Sequence, residues 1–144
     1  MGSLVCGDLL ALPVRTQGIE LGRSVDVIVD LDAGRVLGLE VRCGDGADRF
    51  VPLVATRIRD GEIAIGSPLT LLDEVAFYRA RGRTLGSLRG AKVRRGRHVL
   101  GTFRDVLFAG DGEIVELVVG TPAGERRVRP GADVRVAAPR ASAA

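Results

Sequence analysis

The sequence has very little aromatic material. Phe and Tyr supply 3% of its 144 residues and Trp is absent, so a core has to be assembled from Val, Leu, Ile and Ala. Histidine occurs once, at His98, and cysteine twice, at Cys6 and Cys43. That is too few ligands, spaced too far apart, for a structural zinc site. Gly-x-Ser-x-Gly, the Walker loop and the dinucleotide fingerprint are all missing. His98 lies among arginines with no nucleophile or orienting carboxylate beside it in sequence. The stretch "DLDAGR", Asp30 to Arg35, carries two spaced carboxylates but lacks the rest of a calcium loop, and reads as a turn. These absences argue against catalysis, against a metal and against a cofactor.

Long hydrophobic runs are missing as well. No apolar stretch approaches the roughly 18 residues that a membrane-spanning helix needs. The opening "MGSLVCGDLLALPV" has neither a basic leader nor an adequate apolar segment. The expectation is a cytoplasmic protein with no transmembrane segment and two reduced, structural cysteines.

Glycine and charge are plentiful. Twenty Gly and six Pro imply many turns, and therefore short strands rather than long helices. Charge is unevenly spread. Residues 1–66 hold ten acids and seven bases, whereas residues 67–144 hold eight acids and fourteen bases. No acid at all interrupts the nine bases from Arg79 to Arg104. Such a run is either a solvated face or an anion-binding surface.

Two stretches resemble each other. "ELGRSVDVIVDLDAGRVLGLEV", Glu20 to Val41, lies over "VLGTFRDVLFAGDGEIVELVV", Val99 to Val119, at an offset of 79 residues that becomes 78 after the turn. Leu21-Gly22 falls on Leu100-Gly101, Asp26 on Asp105, and Gly34 on Gly112. Further on, Pro52 falls on Pro130 and Arg57 on Arg135. The match reads as a tandem duplication. Within each copy Val25, Val27 and Val29 or their counterparts alternate with other residues at the period of a half-buried strand. "DLDAG" and "AGDGE" supply hairpin turns. "RFVPLVATRI", "EIAIG" and "RRVRPGADVRV" continue as further strands, with Pro52 and Pro130 confined to a strand start or an edge. Leu71, Leu72, Val75 and Ala76 recur at helical spacing, which predicts one helix over 69–81 with Gly82 as its stop. The expected organisation is therefore a first repeat at 1–66, a helical linker at 67–86, a second repeat at 87–138 and a frayed tail at 139–144.

The pattern "LGRSVDV…DAG…VLGLEV…FVP", repeated as "LGTFRDV…GDG…IVELVV…VRP", resembles the PRC-barrel family, as does the linker "YRARGRTLGSLRGAKVRR". The resemblance implies an all-β fold of two small, strongly bent antiparallel barrels, similar to the cytoplasmic domain of the reaction-centre H subunit and to the C-terminal domain of the ribosome maturation factor RimM. It also implies modules that bind other macromolecules without catalytic residues of their own. Gly22 and Gly101 are expected where backbones bend or approach closely. Asp26 and Asp105 are expected to accept backbone N–H groups left free there. Two copies would bury each other's apolar surface, which one copy of that size cannot do alone.

Partner classes follow from this reading. The leading expectation is an adaptor that docks on another protein. The arginine-rich stretch, with Arg89, Lys92, Arg94, Arg95 and Arg97, would serve a ribosome- or RNA-associated factor instead, although only Phe77 and Tyr78 lie near it in sequence as stacking surfaces. A peripheral membrane complex, a further pairing into a homodimer, or an internal match between the acidic first repeat and the basic second also fit the charge pattern.

Overall fold

The computed structural model describes residues 2–137, so the expected tail at 139–144 lies outside the described residues. Most of the chain is strand, arranged in two sheets. The first is built from β2 (Pro13–Thr16), β3 (Ile19–Asp30), β4 (Arg35–Cys43), β5 (Asp48–Pro52), β6 (Thr56–Arg59) and β7 (Glu62–Ile65), in the order β5-β4-β3-β2-β7-β6. The second contains β9 (Lys92–Arg95), β10 (His98–Phe108), β11 (Ile114–Thr121), β12 (Gly124–Val128) and β13 (Val134–Val136), in the order β12-β11-β10-β9-β13. Pairing is antiparallel except between β2 and β7. Both sheets have ends: β5 and β6 terminate one ladder, β12 and β13 the other, so among the described residues neither closes on itself.

Two short strands exchange between the sheets. β1 (Leu4–Val5) pairs with β10 of the second sheet, and β8 (Arg83–Thr84) pairs with β3 of the first. Each exchanged strand leads into a short helical turn, Cys6–Leu9 after β1 and the helix Leu85–Leu88 after β8. The N–H of Gly7 donates to Asp105 Oδ1 (3.0 Å) and that of Gly86 to Asp26 Oδ1 (3.2 Å), so each carboxylate caps a turn contributed from outside its own sheet. Each Oδ1 also accepts the N–H of the following residue, Val106 or Val27, at 2.8 Å. Where the hairpin turns meet, Val36 N donates to Gly112 O and Ile114 N to Gly34 O, both at 2.8 Å. One apolar core results, in which Val27, Leu39, Val51 and Ile63 pack with Phe103, Val106, Phe108 and Leu117.

The glycines of the repeated motif sit at strand irregularities. Leu21 and Leu100 bulge out of the β2–β3 and β9–β10 registers, leaving Gly22 opposite Val14 and Gly101 opposite Val93. A Cβ at Gly22 would overlap the carbonyl of Arg42, and one at Gly101 that of Gly120; Gly101 also has φ +150. Here close approach is what requires glycine.

Several expectations are corrected. Residues 69–81 are not one helix: Pro68–Thr70 form a single 3-10 turn and the α-helix α1 runs only from Val75 to Arg81. Leu72 is claimed by the sheet instead, donating to Phe50 O (2.7 Å) and accepting from Phe50 N (2.8 Å) along the outer edge of β5. Gly82 ends α1 in extended conformation (φ −148) and not as a left-handed stop; glycine is needed there because a Cβ would overlap Val29 O. The simple alternation in β3 also breaks down. Val27, Ile28 and Val29 are all buried, since Ile28 faces a second small cluster with Phe50, Val75 and Tyr78 under α1. Pro52 closes β5 opposite Gly38, whereas Pro130 lies beyond β12. Leu39 pairs with Val51 and Leu117 with Val128, so the two prolines do not hold corresponding places.

Candidate docking surface

No cluster able to hold a metal occurs among the described residues. Both cysteines are buried and unpaired. Burial pushes the Cys6 thiol well above its ordinary range, helped by the Asp105 carboxylate and opposed by Arg89, which is the setting of an inert thiol. His98 is exposed at the start of β10, opposite Arg95. The larger cleft, of about 1000 Å³, lies between Asp30–Arg35, Ala80–Arg83 and Pro130–Val136. Its charges are mixed, and Arg83 spends both terminal nitrogens on the carbonyls of Val136 and Ala137. Burial pushes the Arg83 guanidinium below its ordinary value, with Asp32 opposing the shift. That arginine pins the linker to β13.

The basic stretch divides once it is folded. Arg89 donates to Arg104 O (3.1 Å) and reaches Asp105 Oδ2 (3.5 Å), so it braces the capping carboxylate. Arg95 lies 3.7 Å from Asp133. Lys92, Arg94 and Arg97 are exposed and have no carboxylate within 4 Å among the described residues. In β9, Val93 is fully buried, and strand alternation places Lys92 and Arg94 on the outer face.

Two bases outside the stretch lie on the same sheet, and one of them stands beside Arg94. Arg135 of β13 lies directly opposite Arg94, flanked by the inward Val134 and Val136. Arg104 of β10 covers Gly120, whose missing side chain leaves it room. Neither has a carboxylate within 4 Å among the described residues. The alternation in "VRV" was the available sign for Arg135; its pairing with Arg94 needed the fold. Phe77 and Tyr78 do not join this face. Tyr78 stacks on Phe50 at 3.9 Å, and Phe77 packs edge-on against Tyr78, both over the first sheet.

No ion pair among the described residues joins the first repeat, 1–66, to the second, 87–138; backbone bonds and the shared core join them, and the ion pairs that leave the first repeat reach only the linker. Glu40 is buried yet held by both Arg79 Nε and Nη2, the latter at 2.7 Å. Arg49 bridges Asp45 and Asp73, each at 2.9 Å.

The part of the chain spanning β1 to β7 matches the family model of the PRC-barrel domain over residues 1–68. Residues 1–68 are a PRC-barrel domain. PRC-barrel domains are interaction modules and are generally non-catalytic. No curated protein matches this chain. None of the helices described is long and apolar enough to cross a membrane.

Proposed function

We propose that the chain is a non-catalytic adaptor, made of two PRC-barrel-like repeats at 1–66 and 87–138 joined by the linker 67–86, that docks on another protein in the cytoplasm. The observation that carries this reading is the PRC-barrel domain at residues 1–68. The reciprocal exchange of β1 and β8 and the matched caps Asp26–Gly86 and Asp105–Gly7 support a tandem duplication. In this reading the halves complete each other's sheets and leave their outer faces for partners.

Ribosome or RNA association is the weaker alternative. Every Phe and Tyr side chain is either in the core or over the first sheet, so beside the arginines bases would find no stacking platform larger than His98. The test is affinity capture with the full-length protein as bait, with and without nuclease. A discrete protein retained after nuclease treatment is expected. Retention of ribosomes or RNA alone, lost as salt rises, would replace the adaptor reading with the RNA one.

A further inference from the structure

The two sheets treat one surface position in opposite ways. On the first, Arg15 of β2 lies opposite Glu20 of β3 and beside β7, with Glu20 at 3.9 Å and Glu62 at 3.4 Å to neutralise it. The place of Arg15 is taken on the second sheet by Arg94 of β9. Opposite Arg94 on β10 stands Val99, where the first sheet has Glu20; on its other side stands Arg135 of β13. Val99 replaces one carboxylate, no counterpart of Glu62 reaches Arg94, and the neighbouring strand adds a second guanidinium instead.

Like charges directly opposite on neighbouring strands repel. Lys92 continues the row from Arg94 on the same face, so the repulsion is not relieved nearby. Val99, 54% exposed, ends the cross-strand row on the other side of Arg94 from Arg135. A face held at such a local cost, with an exposed aliphatic side chain at the end of a row of guanidinium groups, has the composition of a protein interface core and its rim.

We propose that the outer face of β9, β10 and β13 is the docking surface of the adaptor described above, and that its occupant is an acidic segment of another protein. Arg94 and Arg135 take the partner's carboxylates, each guanidinium offering a fork matched to one carboxylate. Val99 takes an apolar side chain of the same segment. Nucleic acid would satisfy the charges but leave Val99 uncovered, and no Phe or Tyr side chain stands on this face to receive a base. The assignment rests on the adaptor reading.

The probe for the test is a short fluorescein-labelled peptide of alternating Glu and Leu, followed by fluorescence polarisation at low salt against full-length protein. An oligothymidylate of equal charge serves as the phosphate probe. The peptide is expected to bind more tightly than the oligonucleotide. Arg94→Glu/Arg135→Glu weakens peptide binding by about tenfold or more, Val99→Ser weakens it by roughly threefold, and Arg57→Glu, which reverses an exposed base elsewhere, leaves it unchanged. Circular dichroism checks that each variant keeps the wild-type spectrum. Absence of peptide binding, equal binding by the double variant, or tighter binding of the oligonucleotide overturns the assignment. Affinity capture separates the two levels. A partner retained equally by wild type and Arg94→Glu/Arg135→Glu keeps the adaptor and removes this face; no partner at all removes the adaptor, while the polarisation result still decides the face.

Discussion

Glu40 and Val118 hold corresponding places at the scale of single residues. Glu40 lies opposite Asp26 and Val118 opposite Asp105. One sheet therefore places a buried carboxylate where the other places an aliphatic side chain. Removing Arg79 strands that carboxylate, so Arg79→Ala is expected to cost about 2 kcal/mol, less than a fully buried pair because Arg79 itself is half exposed. Glu40→Val/Arg79→Ala should recover most of the loss, as Val118 shows that the position accepts an apolar group. Urea unfolding of the two variants checks this; a double variant no more stable than Arg79→Ala contradicts it. Asp45 is the residue to watch in acid. The hydrogen bond from Arg49, with the Ala47 N–H, holds its carboxyl down from 3.8 to about 2. Because the folded value is the lower one, the contact stabilises fully above about pH 4 and is lost as pH falls through about 2. An NMR titration of the Asp45 side chain should show that midpoint, and Arg49→Gln should return it towards 3.8.

At the scale of elements, the linker is where local pattern and tertiary demand part. The spacing of Leu71, Leu72, Val75 and Ala76 suits a helix, but the edge of β5 needs a hydrogen-bonding partner and Leu72 supplies it. A helix as short as α1 is marginal by itself, and it is held by Val75 and Tyr78 against Ile28 and Phe50. Leu72→Pro deletes the N–H that reaches Phe50 O, and Leu71 already has the extended backbone a following proline requires (φ −83, ψ 108). The expected result is a loss of roughly 1–2 kcal/mol together with faster hydrogen exchange at the Phe50 amide. Unchanged exchange at Phe50 would show that the edge contact is dispensable. The close approaches at Gly22 and Gly101 and the hairpin glycines Gly34 and Gly112, by contrast, were legible in the sequence, because a side chain would clash at the first two and the last two have positive φ. So was the role of Asp26 and Asp105 as acceptors for backbone N–H groups, although nothing local indicated that Gly7 and Gly86 would be the donors.

The exchange of β1 and β8 makes the halves depend on each other at the scale of the whole molecule. A chain of about 60 residues buries little apolar surface by itself, and here part of its sheet and one of its caps also come from elsewhere. Fragments 1–68 and 69–144 are therefore expected to lack a cooperative thermal transition when separate, and to regain the β-rich spectrum of the intact chain when mixed in equal amounts. Circular dichroism and size-exclusion chromatography check this. Cooperative folding of 1–68 alone would show that the PRC-barrel domain needs nothing from the second half.

Composition, turn chemistry and period-two patterning determined the strand-rich character and the hairpins, because those depend on backbone preferences a few residues long; the irregular course of the linker was decided by the edge of β5. The same local signals marked an arginine-rich stretch from Arg89 to Arg97. Only the tertiary structure decided which of its bases are neutralised. Arg89 and Arg95 meet Asp105 and Asp133, whereas Arg94 meets Arg135 from more than forty residues away in the chain. Charge compensation is a matter of distance in space, and strand pairing sets that distance.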